Sequence, residues 1–187
     1  NAHRRSLAAN TIIALRFEAR ERFLKLLKGL VMSLSIGVSA CVSVNIGPKG
    51  SERSKGVEFT PPPTPYAELD SKRADGAWQN KTNGNSISYL SICSDPADPT
   101  LEVVANELFS ELSSPEVIRE ERLPFEGRDA LDKEVAGKVE GVSTFVRALI
   151  FKKNGCTYTL SLIGSQKKAF DADRTTFVNF IRSFHAP

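Results

Sequence analysis

The sequence predicts an α+β fold, an antiparallel sheet of about six or seven strands with helices packed on it. Three observations carry that expectation. Two Asn-Gly pairs, Asn83-Gly84 and Asn154-Gly155, each separate β-prone runs, which is the strongest short-range hairpin signal. Apolar and polar residues alternate through 156–164, with Cys156, Tyr158, Leu160 and Leu162 on one side and Thr157, Thr159 and Ser161 on the other. Two further segments carry an apolar stripe at helical spacing, one after Asp98-Pro99 and one closing the chain.

At 187 residues the chain holds one domain of about 130 residues plus an appendage. A content of 41% hydrophobic and 25% charged residues is globular and excludes a disordered tail or a polytopic membrane protein. The net charge of +3 is unevenly placed. Residues 1–40 hold seven of the 25 basic residues (Arg4, Arg5, Arg16, Arg20, Arg22, Lys25, Lys28) and two of the 22 acids (Glu18, Glu21). What remains is 18 basic against 20 acidic residues, a net of −2, and no electrostatic case for nucleic acid as a partner.

That front segment reads as an address. Arg20, Arg22, Lys25 and Lys28 precede the apolar run Gly29–Ala40, the order of parts in a secretory signal. Val38-Ser39-Ala40-Cys41 then resembles a bacterial lipobox, which implies lipidation of Cys41 and cleavage just before it. An uncleaved anchor over Gly29–Ile46 is the rival, but its 18 residues include Ser33, Ser35, Ser39, Ser43 and Asn45, and about 20 predominantly apolar residues are needed to span. Residues 1–19 fit neither reading, and with Met32 the only methionine the start is expected to be truncated or placed too far upstream. Residues 1–40 are thus a signal peptide with a doubtful extension, and 41–56 a lipidated cysteine with a flexible polar tether.

The domain is expected over 57–187. Val57–Thr60 is a short extended segment stiffened by Pro61-Pro62-Pro63 and Pro65. Strands follow at Ala77–Thr82 and Ser86–Cys93. Asp98 and Pro99 read as the N-cap and first position of a helix that carries Leu101, Val104, Ala105, Leu108 and Leu112 on one stripe and ends at Pro115. Val117–Leu123 is a weaker strand. Leu131, Val135 and Val139 alternate with Asp132, Glu134 and Lys138, as in a half-exposed strand turning at Glu140-Gly141. Ser143–Lys152 is apolar on both sides apart from Arg147, the pattern of a central strand covered on both faces. The last helix opens near Asp171 or Asp173 and turns Phe177, Phe180, Ile181 and Phe184 toward a core.

Few residues point to chemistry. With Cys41 lipidated, Cys93 and Cys156 remain as a disulfide across a loop of 64 residues or as two buried thiols, and an exported domain favours the disulfide. No metal or cofactor site is expected, because no C-x-x-C, H-x-x-H or H-E-x-x-H occurs and His185 is the only histidine beyond the cleavage point. A thiolate–imidazolium pair of Cys156 with His185 lacks the helix N-terminus that depresses a thiol pKa. Asp95 and Asp98 fit a turn and a helix cap better than a calcium loop. For binding, Trp78 is either a hot spot or a core residue, Arg147 either a buried ion pair or a groove-lining group. Lys152-Lys153 and Lys167-Lys168 are solvated surface or sit together near anionic headgroups.

The closing Tyr158-x-Leu160, Phe170, Phe177 and Ile181-Arg182-Ser183-Phe184 resemble the PsbP-like superfamily, which takes in the DcrB-like bacterial lipoproteins. The resemblance covers about residues 57–184 and departs at Pro61-Pro62-Pro63, where an aromatic-Pro-x-x-Trp is usual. It implies an α/β/α sandwich and a binding or assembly module without catalysis. The expected protein is therefore a non-enzymatic lipoprotein, its partners the membrane through Cys41 and an unknown envelope protein. The alternatives are a lipoprotein that binds a small molecule or lipid and, less favoured, an envelope hydrolase. Val42 after Cys41, by resemblance to enterobacterial sorting signals, favours the outer membrane and its periplasmic face.

Overall fold

The structure, a computed structural model, describes residues 52–187; the expected signal peptide and Cys41 lie outside the described residues. Seven strands form one antiparallel sheet: β1 (Tyr66–Glu68), β2 (Gly76–Asn80), β3 (Ser86–Cys93), β4 (Ser113–Phe125), β5 (Arg128–Val139), β6 (Val142–Lys153) and β7 (Cys156–Gly164). Their spatial order is β1-β2-β3-β7-β6-β5-β4. Helix α1 (Leu101–Phe109) connects β3 to β4, and α2 (Lys167–Ser183) follows β7. Glu126-Gly127, Glu140-Gly141 and Asn154-Gly155 join the four-strand meander from β4 to β7. Both residues of each pair have positive φ, the type I′ geometry whose twist matches the strands it connects.

The helices lie on opposite faces of the sheet. Along β6, Leu149 and Phe151 join the cluster under α2, while Val146, Ala148 and Ile150 join the cluster under α1. Helix α2 seats Phe170, Phe177 and Phe180 with Tyr158, Leu160 and Leu162 of β7, and Phe184 follows into the same core. Each such fully buried large side chain contributes about 1.5–3 kcal/mol. The result is an α/β/α layering in which the central strands are covered on both sides.

Several boundaries differ from expectation for identifiable reasons. Thr100, not Asp98, caps α1: its backbone is extended and its hydroxyl accepts from the Val103 N–H, whereas Asp98 has a φ of 40° and belongs to the preceding turn. Pro99 therefore precedes the helix. Helix α1 stops at Phe109, and Pro115 lies inside β4, an edge strand where its missing N–H breaks no ladder. Leu112 is buried from the connection rather than from the helix. Pairing with β5 extends β4 well beyond Val117–Leu123, with register shifts at Ser113/Glu116 and Val117/Arg119. Helix α2 opens at Lys167, a turn before Asp171, and the earlier start buries Phe170.

The front of the domain also differs. Its first strand, β1, follows the proline run, and of residues 57–60 only Glu58 pairs, in a single bridge to His185. Residues 52–54, expected within the tether, are fastened to the sheet. Cys93 N–H donates to Glu52 O at 3.0 Å, Arg53 Nη1 to Ser91 O at 2.8 Å, and Ser54 N–H to Ser91 Oγ at 2.8 Å. Ser54 Oγ lies 2.8 Å from the Tyr158 hydroxyl.

Candidate functional site

Charge enters the sheet on the α2 face. Arg147 of β6 shares that side with Leu149 and Phe151, and its Nε and Nη2 donate to Asp132 Oδ1 at 3.0 Å and Oδ2 at 2.8 Å. Glu134, directly across from Arg147 on β5, is 1% exposed and pairs with Arg174 of α2. Hydrogen bonding to Glu134, with help from Asp171, holds the Arg174 guanidinium above its ordinary value despite burial. The Arg147 guanidinium also lies 5.8 Å from the Phe177 ring centre. Arg147 is thus buried and ion-paired, the first of its two readings, and is not among the residues of the cleft described below. The network fastens α2 to β5 and β6.

A second polar cluster fastens α2 to the other half of the sheet. The buried Asp173 carboxylate accepts from the Tyr66 hydroxyl at 2.9 Å, Asn83 Nδ2 at 2.9 Å and Asn85 Nδ2 at 2.8 Å. Burial, followed by that bond, drives the Tyr66 hydroxyl above its usual pKa. Gly164 permits this geometry, since a Cβ there would fall 2.2 Å from Asn85 Oδ1.

The remaining sequence candidates separate. Trp78 is 6% exposed, packed edge-on to Phe59 with ring centres 5.4 Å apart and against Phe180 at 5.6 Å, so it offers no surface to a partner. Cys93 and Cys156 are cross-strand neighbours on β3 and β7 joined by a disulfide. Cys156 has no free thiol to pair with His185, whose Nδ1 lies instead 3.0 Å from Glu126 Oε1. Lys152-Lys153 and Lys167-Lys168 sit beyond opposite ends of β7 and form no common patch. Lys167 pairs with Asp171, and Lys153 reaches Glu126 Oε2 at 2.9 Å and Ala186 O at 2.6 Å. Burial raises the Glu126 carboxyl, but hydrogen bonds from Lys153 and His185 outweigh it and hold the group below its ordinary 4.5.

An open cleft of about 490 Å³ lies at the end of the sheet where β3 stops and β6 turns into β7. Asp95, Asp98, Arg128, Asp129, Lys152 and Lys153 line it, with Cys156 and the Asn154-Gly155 turn. Asp95 Oδ1 accepts the Ala97 N–H at 2.9 Å and its carbonyl accepts from Asp98 N–H at 3.1 Å, which makes a turn of the Asp95–Asp98 segment. Asp98 pairs with Lys152. Sequence reasoning missed Arg128 and Asp129, because nothing in their spacing marks them: the β4–β5 turn alone carries them to the cleft. It also missed the burial of Asp132 and Glu134, which strand alternation puts on a solvent side. The available signal was Arg147, since a buried cation requires a nearby acid.

No family model and no curated protein matches the chain. Solved structures do. The chain is similar to the cyanobacterial PsbP (CyanoP) of Synechocystis sp. PCC 6803, at 20% identity and a TM-score of 0.51, over 80% of this chain and 99% of that one. It is similar to LpqN, involved in cell envelope biogenesis of Mycobacterium tuberculosis, at 13% identity and a TM-score of 0.53, over 74% and 88% of the two chains. The Ran-binding protein Mog1p of Saccharomyces cerevisiae matches at 8% identity and a TM-score of 0.50, over 66% and 87%. At these identities the likeness establishes the fold, a PsbP-like α+β domain.

Proposed function

We propose that the chain is a lipid-anchored protein of the bacterial envelope, tethered through Cys41, whose PsbP-like domain is a non-catalytic binding or assembly module. The observation that carries this reading is where the tether reaches the domain. Glu52, eleven residues beyond Cys41, is bridged to Cys93, and Cys93 is bonded to Cys156 at the wall of the cleft. Eleven residues extend to at most about 40 Å. A lipidated Cys41 would therefore keep the cleft-bearing end of the sheet within about 40 Å of the bilayer surface. Two proteins of the same fold support a binding or assembly role, one by its part in envelope biogenesis and one by binding Ran. The partner of the module is another envelope protein, and Val42 favours the outer membrane facing the periplasm.

Intact-mass measurement of the full chain, expressed in a diderm bacterium and extracted from its membranes, tests the anchor. The expected product begins at Cys41 and carries diacylglycerol and an amide-linked acyl chain. Cys41→Ser should abolish both the modification and the cleavage. An unmodified thiol on a chain that retains residues 29–40 overturns the reading. Cross-linking in intact envelopes tests the module, which predicts a reproducible protein adduct that is lost from denatured controls.

A further inference from the structure

The cleft has a composition that selects a ligand class. Its wall carries three cations, Arg128, Lys152 and Lys153, and three carboxylates, Asp95, Asp98 and Asp129, with no aromatic ring. Lys152 and Lys153 are held by Asp98 and Glu126, whereas among the described residues Arg128 and Asp129 have no ion pair and Asp95 uses one oxygen on its own turn. Both signs of charge are thus available to a visitor. At about 490 Å³ the volume falls in the range of roughly 300–1,000 Å³ typical of small-molecule sites.

We propose that this cleft receives the phosphoethanolamine headgroup of a membrane lipid. Arg128 presents a planar fork suited to two phosphate oxygens, and Lys152 retains two of its three N–H donors after pairing with Asp98. The ligand's primary ammonium has three donors, which Asp95 and Asp129 accept. A choline headgroup has no N–H to give and prefers the face of aromatic rings, which the wall lacks. A phosphoglycerol headgroup satisfies Arg128 but leaves both free carboxylates facing an anion. The location agrees with the chemistry, because Glu52, the first described residue after Cys41, is bridged to Cys93, whose disulfide partner Cys156 lines the cleft. A link this short gives an effective concentration on the order of millimolar, so a weak headgroup site is occupied once the protein is anchored. Its membrane context rests on lipidation of Cys41; the preference among headgroups does not.

The test is a titration of the purified full chain in detergent micelles, followed through the backbone amides of Arg128, Asn154 and Gly155. The probes are sn-glycero-3-phosphoethanolamine, the phosphocholine and phosphoglycerol analogues, and inorganic phosphate. Saturable shifts at those amides are expected for the ethanolamine probe, with affinity at least tenfold weaker for the other three. Arg128→Ala and Asp129→Asn, both exposed at the start of β5, should each weaken the ethanolamine probe fivefold or more at an unchanged melting temperature. Equal binding of all four probes, preference for phosphoglycerol or free phosphate, or no shift overturns the proposal. So does release of ethanolamine from the probe, which would make the cleft catalytic. Failure of the anchor appears separately, as an unmodified Cys41 with the titration intact.

Discussion

Asp132, Glu134 and Arg147 are nearly withdrawn from water, and each faces an opposite charge, Asp132 and Arg147 each other and Glu134 the Arg174 guanidinium. Removing one member of such a pair leaves an ion with no solvent, a loss of about 3–5 kcal/mol, whereas replacing both with apolar groups is often neutral. Arg147→Met should therefore lower the unfolding free energy by about 3 kcal/mol in urea titrations, and adding Asp132→Leu should recover most of it. Arg119, the other cation near Asp132, is 41% exposed and returns to water in the double variant. Glu126 contributes to the pH response, its folded carboxyl lying below its unfolded value near 4.5. Its contribution is full above that value and lost as pH falls through the depressed one. Glu126→Gln should thus flatten the acid limb of the stability curve, the two proteins converging below pH 4.5 in melts across a pH series. In the sequence, Arg147 stands out inside an apolar strand, and pairing back from the Glu140-Gly141 turn sets Glu134 opposite it. Its bidentate acceptor, Asp132, is a diagonal neighbour. The partner of Glu134 comes from α2, whose choice of face is a matter of tertiary packing that strand alternation does not encode.

Elements obey the same division between local and distant causes. The three two-residue turns and the strands they join are set by neighbours in the chain, so β6 and β7 fall within a residue or so of their patterned runs. The start of α1 is harder to read, since Asp98 and Thr100 are both good capping residues and only backbone conformation chooses between them. Thr100→Ala should cost about 1 kcal/mol in thermal denaturation, because it strips the hydroxyl that accepts the Val103 N–H. Asp98→Ala should stay within about 0.5 kcal/mol, as it removes an exposed pairing with Lys152. Strand β4 is the least legible element. Its outer side is open, its apolar residues Val117 and Ile118 are 55% and 44% exposed, and the ladder to β5 recruits its first half, whereas Leu123 and Phe125 near its end pack on the core. The Cys93–Cys156 bond ties β3 to β7, strands brought together from distant parts of the sequence, across a separation of 63 residues. Reducing it should lower the unfolding free energy by roughly 4 kcal/mol on the chain-entropy estimate, read as a shift of the urea midpoint with added reductant.

At the scale of the whole domain, the segment that leads into the fold packs on the core through Val57 and Phe59. Residues 52–60 belong to no strand, yet they run from the Cys93 bridge, past Ser91 and Tyr158, to Ser183 at the end of α2. Phe59 is the centre of this strap. Its ring lies 5.4 Å from Trp78, 5.1 Å from Tyr89, 5.8 Å from Phe180 and 6.3 Å from Phe184, so it joins β2, β3 and the two closing phenylalanines. A chain fastened this way would deliver any pull at Glu52 to the disulfide-braced centre of the sheet rather than to a fraying end. Phe59→Ala should consequently destabilise the domain by about 3 kcal/mol, as an internal phenylalanine would. Lys55→Ala, at an exposed position of the same segment, should leave stability within about 0.5 kcal/mol. Urea denaturation of the two variants separates a structural strap from a passive linker. Equal and negligible effects would make residues 52–60 a passive linker and remove the structural basis proposed for holding the cleft near a membrane.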